Sequence, residues 1–536
     1  MDEVDFIVVG AGSAGCVLAA RLSEDGQSQV VLFEAGGSDK HPMISMPFAW
    51  MQTLGIPRFG WGVMSEPEPH MDGRVQALPR GKVMGGCGSI NGLMYIRGAA
   101  ADYDAWRDQG LQGWGYDDVL PYFRKSESNW RGASAIHGGE GPISVSPMIP
   151  HEELFPAFLE TAGRLGYSPS PDFNVAAPEG FGLPDVMVRK GVRHSTSRAY
   201  IDPVRRRRNL EVKSKTLVRR VVFEGRKAVG VEYEQYGMRK VLRARREVIL
   251  CAGAFNSPHL LMLSGIGRAE HLADHGIETI IDLPGVGENL QDHPIGLTFW
   301  GASKPVTFEN ELRLDRLTWN VLKWGLTGRG TPAQSPLTVQ AFMRSGAEQE
   351  RPDIQFQVSH VSYEARPWFP LIRGGAGHMI SAGAILLNPE SRGRVSLASP
   401  IPNEVPKVLL NFLEAEGDRV RLRQSFRFMR EFFNTAPVSD FISGELAPGA
   451  SAESDEAIDG WLRATVMSGA HPVGTCAMGH GPMGVVDPKL RVCGTEGLRV
   501  VDCSVMPDIV RGNTAAPAIM IAEKAADMIL GKQAAQ

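Results

Sequence analysis

The sequence predicts an α/β protein, α+β overall, in which a parallel sheet flanked by helices carries an inserted antiparallel sheet with helices of its own. First, residues 5–9 and 29–33 are continuous apolar runs, typical of buried parallel strands, and a glycine turn and a helical pattern separate them. Second, residues 353–358 and 378–387 show strand patterns and are interleaved with helical stretches such as 415–434. Third, 536 residues exceed what one hydrophobic core usually supports, so we expect two domains or one elaborated domain.

The elements of the parallel unit are spread along the whole chain. The first is the N-terminal strand–turn–helix–strand unit of about 30 residues. We expect its later elements to be strands at 210–213, 247–251 and 498–502 and helices at 256–263 and 515–530. The last helix has the clearest boundaries, because Asn513 and Thr514 are favoured helix caps and Gly531 is a typical helix stop.

These elements predict two interleaved domains. The antiparallel pattern begins near residue 296, so the parallel-sheet domain has to be assembled from separate segments of the chain. We predict that the parallel-sheet domain comprises residues 1–150, 203–295 and 466–536, and that the antiparallel-sheet domain comprises residues 151–202 and 296–465.

Composition excludes several classes of protein. The apolar fraction of 43% and the charged fraction of 22% are ordinary globular values, which exclude a disordered, collagenous or coiled-coil chain. With 56 Lys and Arg against 60 Asp and Glu, the net charge of −4 provides no basic field for nucleic acid. No run approaches about 18 apolar residues, so we expect no membrane span. The acidic N-terminus lacks a signal-peptide pattern and the six cysteines lack metal-binding spacing, so we expect no metal site and a cytoplasmic location.

A dinucleotide fingerprint lies between the first strand and the first helix. Gly10 permits the tight turn, Gly12 lets the backbone approach a diphosphate, and Gly15 lets the helix pack closely on the strand. Glu34 ends the second strand 19 residues after Gly15, where a carboxylate accepts hydrogen bonds from a ribose hydroxyl and repels a 2′-phosphate. The pattern predicts a Rossmann-like dinucleotide-binding domain and disfavours NADP, and it leaves FAD and NAD both open.

Four further segments decide between these cofactors through a family resemblance. Residues 81–98 resemble the first signature of the glucose–methanol–choline (GMC) flavoprotein oxidoreductases, and residues 253–267 resemble the second. Residues 283–294 and 471–479 are also similar to family segments, and the resemblance covers the chain in the family's order. It implies that the cofactor is FAD and that the reaction is the oxidation of a primary or aryl alcohol by an oxidase or a dehydrogenase.

By this resemblance, FAD contacts the backbone and short side chains of several segments. The predicted contacts are Gly10, Gly12, Ser13, Ala14, Gly15, Glu34, Ala35, Val83, Gly85, Gly86, Ser89, Asn91, Gly92, Leu93, Met94, Val218, Ala252, Gly253, Asp502, Asn513 and Thr514. Cys87 departs from the Gly, Ser or Thr that the family usually has at its position. Ile90 stands where certain relatives have a histidine covalently linked to the flavin, so we expect non-covalent FAD.

The resemblance also implies a catalytic pair. His471 matches the family's histidine in a His-Pro-Val-Gly segment, and the ordinary pKa of histidine suits a base that removes the hydroxyl proton. Asn513 occupies the second position, where the family has His or Asn, and its amide can donate to the substrate oxygen. Asn513 is also a favoured helix cap. We expect the helix that begins near Ala515 to direct its positive end at the flavin and to favour negative charge there.

The substrate pocket is predicted from residue size. Gly469 and Ala470 are small where relatives often have bulky residues, so we expect a roomy pocket over the flavin. Four aromatic residues are candidates for its walls, with ordinary core packing as the alternative: Trp368, Phe369, Phe299 and Trp300. A roomy, aromatic pocket favours an aromatic, furanic or otherwise extended primary alcohol over a sugar, which needs many polar partners.

The sequence leaves several functions open. The main prediction is that O2 reoxidises the cofactor, and the alternative is a quinone-dependent dehydrogenase of the choline or polyether-alcohol type. A GMC-type lyase and a flavin-binding scaffold without turnover are further alternatives, and the presence of both His471 and Asn513 disfavours the scaffold. Nothing in the sequence indicates an oligomeric state.

Overall fold

The structure is a computed structural model that describes residues 3–362, 364–370 and 372–533. Its N-terminal strand lies inside a mixed seven-stranded sheet. The strand order is Leu210–Lys213, Val30–Phe33, Glu3–Val9, Met238–Leu250, Lys227–Gln235 and Thr216–Glu224, and Leu498–Val500 pairs with Met238–Leu250. The predicted parallel pairing is confirmed, and the last two strands of this order add an antiparallel edge.

The antiparallel edge was not predicted. Met238–Leu250 is a 13-residue strand, and only its end was recognised, because that part is a buried apolar run. Its first half, with exposed Arg239 and Lys240, pairs with Lys227–Gln235 at the solvent-exposed side of the fold. Strands with charged exposed faces lack the continuous apolar pattern of a buried parallel strand.

The helices named by the sequence frame this sheet. Ser13–Leu22 packs against Ala515–Leu530, which also packs against Tyr116–Ser126. Gly253–Leu263 follows the central strand and packs against Thr216–Glu224. The other α-helices of the described residues are Pro42–Ser45, Trp50–Leu54, Ala100–Asp108, Leu154–Arg164, Asp202–Val204, Ala269–Asp274, Leu314–Thr327, Glu416–Asn434 and Asp455–Thr465.

A second seven-stranded sheet is antiparallel throughout. Its order is Ile442–Ala447, Pro294–Ala302, Met379–Leu386, Ile354–Ser359, Leu337–Met343 and Gly180–Gly182, and Met467–Ser468 pairs with Pro294–Ala302. Glu416–Asn434 packs on this sheet, where Phe432 stacks on Phe181 with ring centroids 5.5 Å apart. The predicted inserted antiparallel sheet is therefore confirmed, whereas the exact domain boundaries stay a prediction.

A separate two-stranded ladder lies outside this sheet. In it Arg394–Ser396 pairs with Lys407–Leu409. The remaining short strands are Met94–Tyr95, Glu127–Asn129, Ile143–Pro147, Asp185–Val186, Val188–Arg189, Val192–Arg193, Ile266–Gly267 and Ile281–Asp282.

The antiparallel sheet brings two distant segments of the chain together. Pro294 pairs with Ser468, and Ile295 pairs with Met467. This register places the residues just before Pro294 beside those just after Ser468. His293 and His471 are thereby neighbours in space although 178 residues separate them in sequence.

Candidate active site

A cavity of about 550 Å³ is lined by residues of both sheets. Val9 and Val218 belong to the mixed sheet, and Ile295 and Gln357 belong to the antiparallel sheet. The predicted cofactor contacts that line it are Gly10, Gly12, Ser13, Ala14, Glu34, Ala35, Gly86, Asn91, Gly92, Leu93, Met94, Val218, Ala252, Gly253, Asp502, Asn513 and Thr514. The structure thus brings most of the predicted site into one cavity.

Four predicted contacts lie behind the cavity wall instead: Gly15, Val83, Gly85 and Ser89. A Cβ at Gly15 would lie 1.9 Å from the Gly10 carbonyl oxygen, so this glycine serves helix–strand packing. Gly85, with φ +83°, is covered by Ser89, whose hydroxyl donates to the Met84 carbonyl at 2.7 Å. Val83 is buried beside Gly37. Val83, Gly85 and Ser89 thus shape the turn that carries Gly86, and none of the four residues lines the cavity.

The fingerprint glycines occupy the strained turn that the sequence predicts. Gly10 has φ +100°, and a Cβ there would lie 2.5 Å from the Cys251 carbonyl oxygen. At Gly12 a Cβ would meet only that same oxygen, at 3.9 Å, so the space beside Gly12 is open. Gly12 is also the N-terminal cap of Ser13–Leu22, and as a glycine it has no side chain that could accept from the first N–H groups of this helix. The free N–H groups of this helix therefore face a space that an anion can occupy.

Glu34 is buried at the end of the second strand. Its Oε2 accepts from the Ala11 N–H at 3.0 Å, and its Oε1 accepts from the Gly36 N–H at 2.7 Å. Burial raises the pKa of Glu34 to about 7, against the effect of these two hydrogen bonds. Each carboxylate oxygen keeps a further lone pair, so Glu34 can still accept from a ribose hydroxyl.

Asp502 holds the second glycine turn of the cavity. Its Oδ2 accepts from the Gly253 N–H at 2.8 Å and from the Ser257 hydroxyl at 2.6 Å. Gly253 has φ +83°, and a Cβ there would meet no atom within 4 Å. The turn is therefore fixed from behind by a carboxylate and is open toward the cavity.

His471 lines the cavity with its Nε2 beside the amide of Asn513. The Asn513 Nδ2 lies 2.9 Å from this nitrogen. Burial, and secondarily the proximity of His293 and Arg80, lowers the pKa of His471 well below its usual value. His471 is therefore neutral at physiological pH.

His293 fixes which nitrogen of His471 carries the proton. The His293 Nε2 lies 3.1 Å from the Leu387 carbonyl oxygen, which can only accept, so this nitrogen donates. Burial lowers the pKa of His293 to about 3, and the neutral ring then presents a lone pair at Nδ1. The His471 Nδ1 lies 3.0 Å from that lone pair and donates to it. The Nε2 of His471 is consequently unprotonated and available as a base.

A buried carboxylate holds the two histidine segments together. Asp292 Oδ1 accepts from the backbone N–H of His293 and of His471, each at 2.8 Å. Its Oδ2 accepts from the Ser468 hydroxyl. Sequence reasoning missed Asp292 and His293, although the Asp-His-Pro of the family-like segment 283–294 is the signal that marks them.

Asn513 is held by the antiparallel sheet. Its Oδ1 accepts from the Gln355 amide at 3.2 Å, and that amide also donates to Gln340 at 2.9 Å. Because Oδ1 is occupied in this way, the Nδ2 of Asn513 faces His471. The cap of the following helix is Thr514, so the side chain of Asn513 is committed to His471 and Gln355 and not to helix capping. Sequence reasoning missed Gln355, whose signal was the polar alternation of residues 353–358.

The last helix opens into the same cavity. Ala515–Leu530 begins after Thr514, which makes no side-chain capping bond, and Ala515 and Ala518 line the cavity. Its first-turn N–H groups therefore present a positive end to the cavity, as predicted.

Gly469 and Ala470 line the cavity, but the missing side chain of Gly469 does not create open space. A Cβ there would lie 2.9 Å from the His293 carbonyl oxygen and 3.2 Å from the His471 Nδ1. The small residue is therefore required for the close approach of the two histidine segments. This corrects the prediction that Gly469 makes room for the substrate.

The predicted aromatic wall is also corrected. The indole of Trp368 donates to the Glu309 carbonyl at 2.9 Å, and Phe369 is exposed to solvent. Trp300 stacks on Phe433 with ring centroids 4.6 Å apart, in the core beside the antiparallel sheet. None of Trp368, Phe369, Phe299 and Trp300 lines the cavity, whose aromatic residues are Phe33, Trp50, Trp61 and Phe255. Which aromatic side chains line the cavity depends on tertiary packing and cannot be predicted from their spacing in the sequence.

Comparison with known proteins decides the family. The family model described as GMC oxidoreductase matches in two parts, an N-terminal part at residues 4–295 and a C-terminal part at residues 389–522. The chain belongs to the GMC oxidoreductase family. It is 42% identical over 534 residues to an oxygen-dependent choline dehydrogenase of Brucella canis, covering 99% of this chain and 96% of that protein.

Solved structures of the GMC family have the same fold. Pyridoxine 4-oxidase from Mesorbium loti matches with a TM-score of 0.88 and 31% identity, over 99% of this chain and 100% of that one. A fungal aryl-alcohol oxidase matches with a TM-score of 0.85 and 25% identity, over 99% of both chains. The protein is thus an FAD-dependent oxidoreductase that acts on CH–OH groups.

The residues of the cavity fit FAD. Two glycines, Gly12 and Gly253, leave open space where any side chain would intrude. The helices Ser13–Leu22 and Ala515–Leu530 both open into the cavity, and their N-termini suit the diphosphate and an electron-rich ring edge. Glu34 provides the carboxylate for a ribose hydroxyl. FAD is the cofactor of this GMC oxidoreductase.

Proposed function

We propose that this protein is an alcohol oxidase, which converts an aromatic, furanic or otherwise extended primary alcohol to the aldehyde and passes the electrons to O2. The observation that carries the proposal is the unprotonated Nε2 of His471, which faces the cofactor cavity 2.9 Å from the Asn513 amide. A base and a hydrogen-bond donor thus meet at one point, as the oxidation of an alcohol requires.

His471 takes the hydroxyl proton of the substrate at Nε2. Its Nδ1–H stays on His293, whose pKa of about 3 prevents it from competing for the proton. The imidazolium that forms is therefore held in one orientation by the same hydrogen bond as the neutral ring. The acceptor for the hydride of the alcohol carbon would be supplied by bound FAD.

Asn513 orients the alcohol oxygen. An N–H of its amide donates to the His471 Nε2 in this structure. When the alcohol hydroxyl donates to that nitrogen instead, the amide N–H donates to the alcohol oxygen. The amide does not titrate, so Asn513 binds the oxygen without taking the proton. Gln355 keeps the amide in this orientation.

Arg80 supports O2 as the electron acceptor. Its guanidinium lines the cavity and donates to the Ala470 carbonyl at 2.8 Å, next to His471. Reduction of O2 begins with the formation of an anion, which a fixed positive charge stabilises. The similarity to pyridoxine 4-oxidase and to an aryl-alcohol oxidase supports an oxidase and an aromatic substrate.

A second candidate is a choline dehydrogenase. The 42% identity to choline dehydrogenase over nearly the whole chain favours it. The cavity also has Trp50, Trp61 and Glu404 in its wall, and aromatic rings and carboxylates are the groups that bind a quaternary ammonium ion.

Anaerobic reduction of the protein-bound flavin tests the proposal. Benzylic and furanic alcohols should bleach the flavin absorption faster than choline does, and admitting air should restore the colour within the turnover time. Faster bleaching by choline would show that choline, and not a benzylic or furanic alcohol, is the better substrate. Slow recovery in air together with fast recovery on adding a soluble quinone would replace the oxidase by a dehydrogenase.

A further inference from the structure

The helix Leu314–Thr327 has two apolar stripes on opposite faces. Leu317, Val321 and Trp324 are half-buried and face the protein, and the Trp324 indole donates to the Gly191 carbonyl at 2.7 Å. The second stripe is formed by Trp319, Leu322 and Leu326, which are 68%, 56% and 87% exposed. Their spacing of three and four residues places them on one face of the helix. Packing within the described chain thus explains the first stripe and not the second.

Further apolar and basic groups are exposed on this helix and on the loop that pairs with its start. The loop that pairs with the start of the helix at Arg313 and Trp368 exposes Ile372, at 79%, and Phe369. The exposed basic residues of the helix, its end and this loop are Arg316, Lys323, Arg329, Arg366 and Arg373, and the exposed acidic ones are Asp315 and Glu364. Asp315 is paired with Arg313 at 2.7 Å. Within the described residues no ion pair involves Arg316, Lys323 or Arg329, so these charges are available.

We propose that this helix and loop dock the enzyme on the surface of an anionic lipid bilayer. Tryptophan and leucine on the outer stripe insert at the boundary between headgroups and acyl chains, and the flanking basic side chains bind anionic headgroups. None of the helices in the described part of the chain could span a bilayer. The proposed contact is with the membrane surface. The proposal does not depend on which alcohol is oxidised.

Two observations favour a bilayer over a second copy of the chain. A stable protein–protein interface needs about 800 Å² on each partner, which a stripe of three side chains does not provide. The local excess of basic groups also complements an anionic surface, whereas two copies of this face would repel each other. The overall charge of −4 makes this excess a local property of the patch.

The docking helix Leu314–Thr327 is close in sequence to residues that line the cavity. The helix packs against the turn Thr331–Ala333, and the next residues, Ser335, Pro336 and Leu337, line the cavity. A docked enzyme would therefore hold this part of the cavity wall near the lipid, where apolar alcohols and lipid-soluble acceptors concentrate.

Vesicle sedimentation of the FAD-loaded enzyme tests the proposal. The protein should sediment with vesicles of phosphatidylcholine and phosphatidylglycerol, less with phosphatidylcholine alone, and less at high salt. Trp319→Gln/Leu322→Gln/Leu326→Gln should abolish sedimentation and leave turnover of a water-soluble alcohol unchanged. The matched control is Tyr236→Gln/Met238→Gln, two residues that are 82% and 54% exposed on another surface, and it should sediment like the wild type.

A charge variant gives an independent measurement that keeps the stripe intact. Arg316→Gln/Lys323→Gln should weaken binding to anionic vesicles about 20- to 30-fold, because each basic residue near such a surface contributes about fivefold. Arg239→Gln/Lys240→Gln, which are exposed on the distant hairpin, should have no effect. Failure of the wild type to sediment would overturn the proposal. So would a dimer in light scattering that the triple variant dissociates, since the stripe would then be an interface between copies.

Discussion

His471 has a single competent nitrogen because its other nitrogen donates to His293. Replacing His471 with Ala should leave FAD bound and slow anaerobic flavin reduction by at least about 10²-fold, the scale expected for the loss of a positioned base. Stopped-flow reduction with the best alcohol measures this. The control is His480→Ala, because His480 is exposed and its Nε2 contacts the Gly110 carbonyl oxygen, outside the His471 site. Reduction of His471→Ala at the wild-type rate would show that this histidine has only a structural role.

Arg80 affects the same base through its charge. Its proximity contributes to lowering the pKa of His471, after burial and His293. The base must be unprotonated, so kcat/KM should stay constant from neutral pH to below 6.5 and fall only in more acidic solution. Arg80→Gln removes the positive charge and should raise the pKa of His471, which moves the acid limb to higher pH. Arg80→Lys keeps the charge and should leave the limb near its wild-type position; equal shifts in both variants would contradict an electrostatic cause.

Gly469 is where a side chain would separate the two histidine segments. We expect Gly469→Ala to lower kcat about 10- to 100-fold, because small displacements of catalytic groups have effects of this size. The loss should be the same for allyl alcohol and for a benzylic alcohol, since geometry and not pocket volume is changed. Gly460→Ala is the control, as a Cβ at Gly460 would meet only the end of Arg463 at 3.8 Å. A selective loss for the larger alcohol would restore the pocket interpretation.

At the scale of the element, the helix Ala515–Leu530 is anchored by a buried carboxylate. Glu523 accepts from Arg21 at 2.8 to 3.0 Å and from the Tyr200 hydroxyl at 2.8 Å, and Lys125 lies 3.4 Å away. These contacts tie the helix to Ser13–Leu22 and Tyr116–Ser126. The position of its N-terminus in the cavity therefore depends on an ion network just over two turns further along the helix.

Removing this carboxylate should be strongly destabilising. Glu523→Leu removes the buried acceptor of Arg21 and of the Tyr200 hydroxyl, while Arg21 keeps the exposed Glu24 and Lys125 keeps Asp527. We therefore expect a loss of about 1.5–3 kcal/mol in the free energy of unfolding, measured by urea denaturation. Glu24→Leu is a matched control, because Glu24 pairs with the same Arg21 at 2.8 Å but is exposed. It should cost less than about 1 kcal/mol. A similar loss in both variants would mean that Glu523 does not anchor the helix.

For the whole molecule, the cofactor is held by a cavity to which several separate segments of the chain contribute. Ile90 is apolar and buried, and it provides no nucleophile for a bond to the flavin. Acid precipitation should therefore release free FAD into the supernatant. Added FAD should also raise the melting temperature of the flavin-free protein, because a ligand that binds only the folded state stabilises it. Yellow colour that stays with the precipitate would contradict non-covalent binding.

Several parts of this protein could be predicted from local sequence pattern. The strand–glycine–helix–strand unit, the helix Ala515–Leu530 and the membership of the GMC family depend on neighbouring residues, whose spacing sets backbone conformation directly. His471 and Asn513 were recognised in the same way, from the motifs in which they stand.

The contacts between distant segments could not be predicted in this way, because they depend on how the chain folds. The pairing of Pro294 with Ser468 brings His293 beside His471, and a neighbouring strand of the same sheet places Gln355 on Asn513. The same packing excludes Trp368 and Phe369 from the cavity and leaves Trp319 in solvent. A strand pattern indicates which side chains share a face of the sheet, whereas the register between strands sets which residues that face contacts.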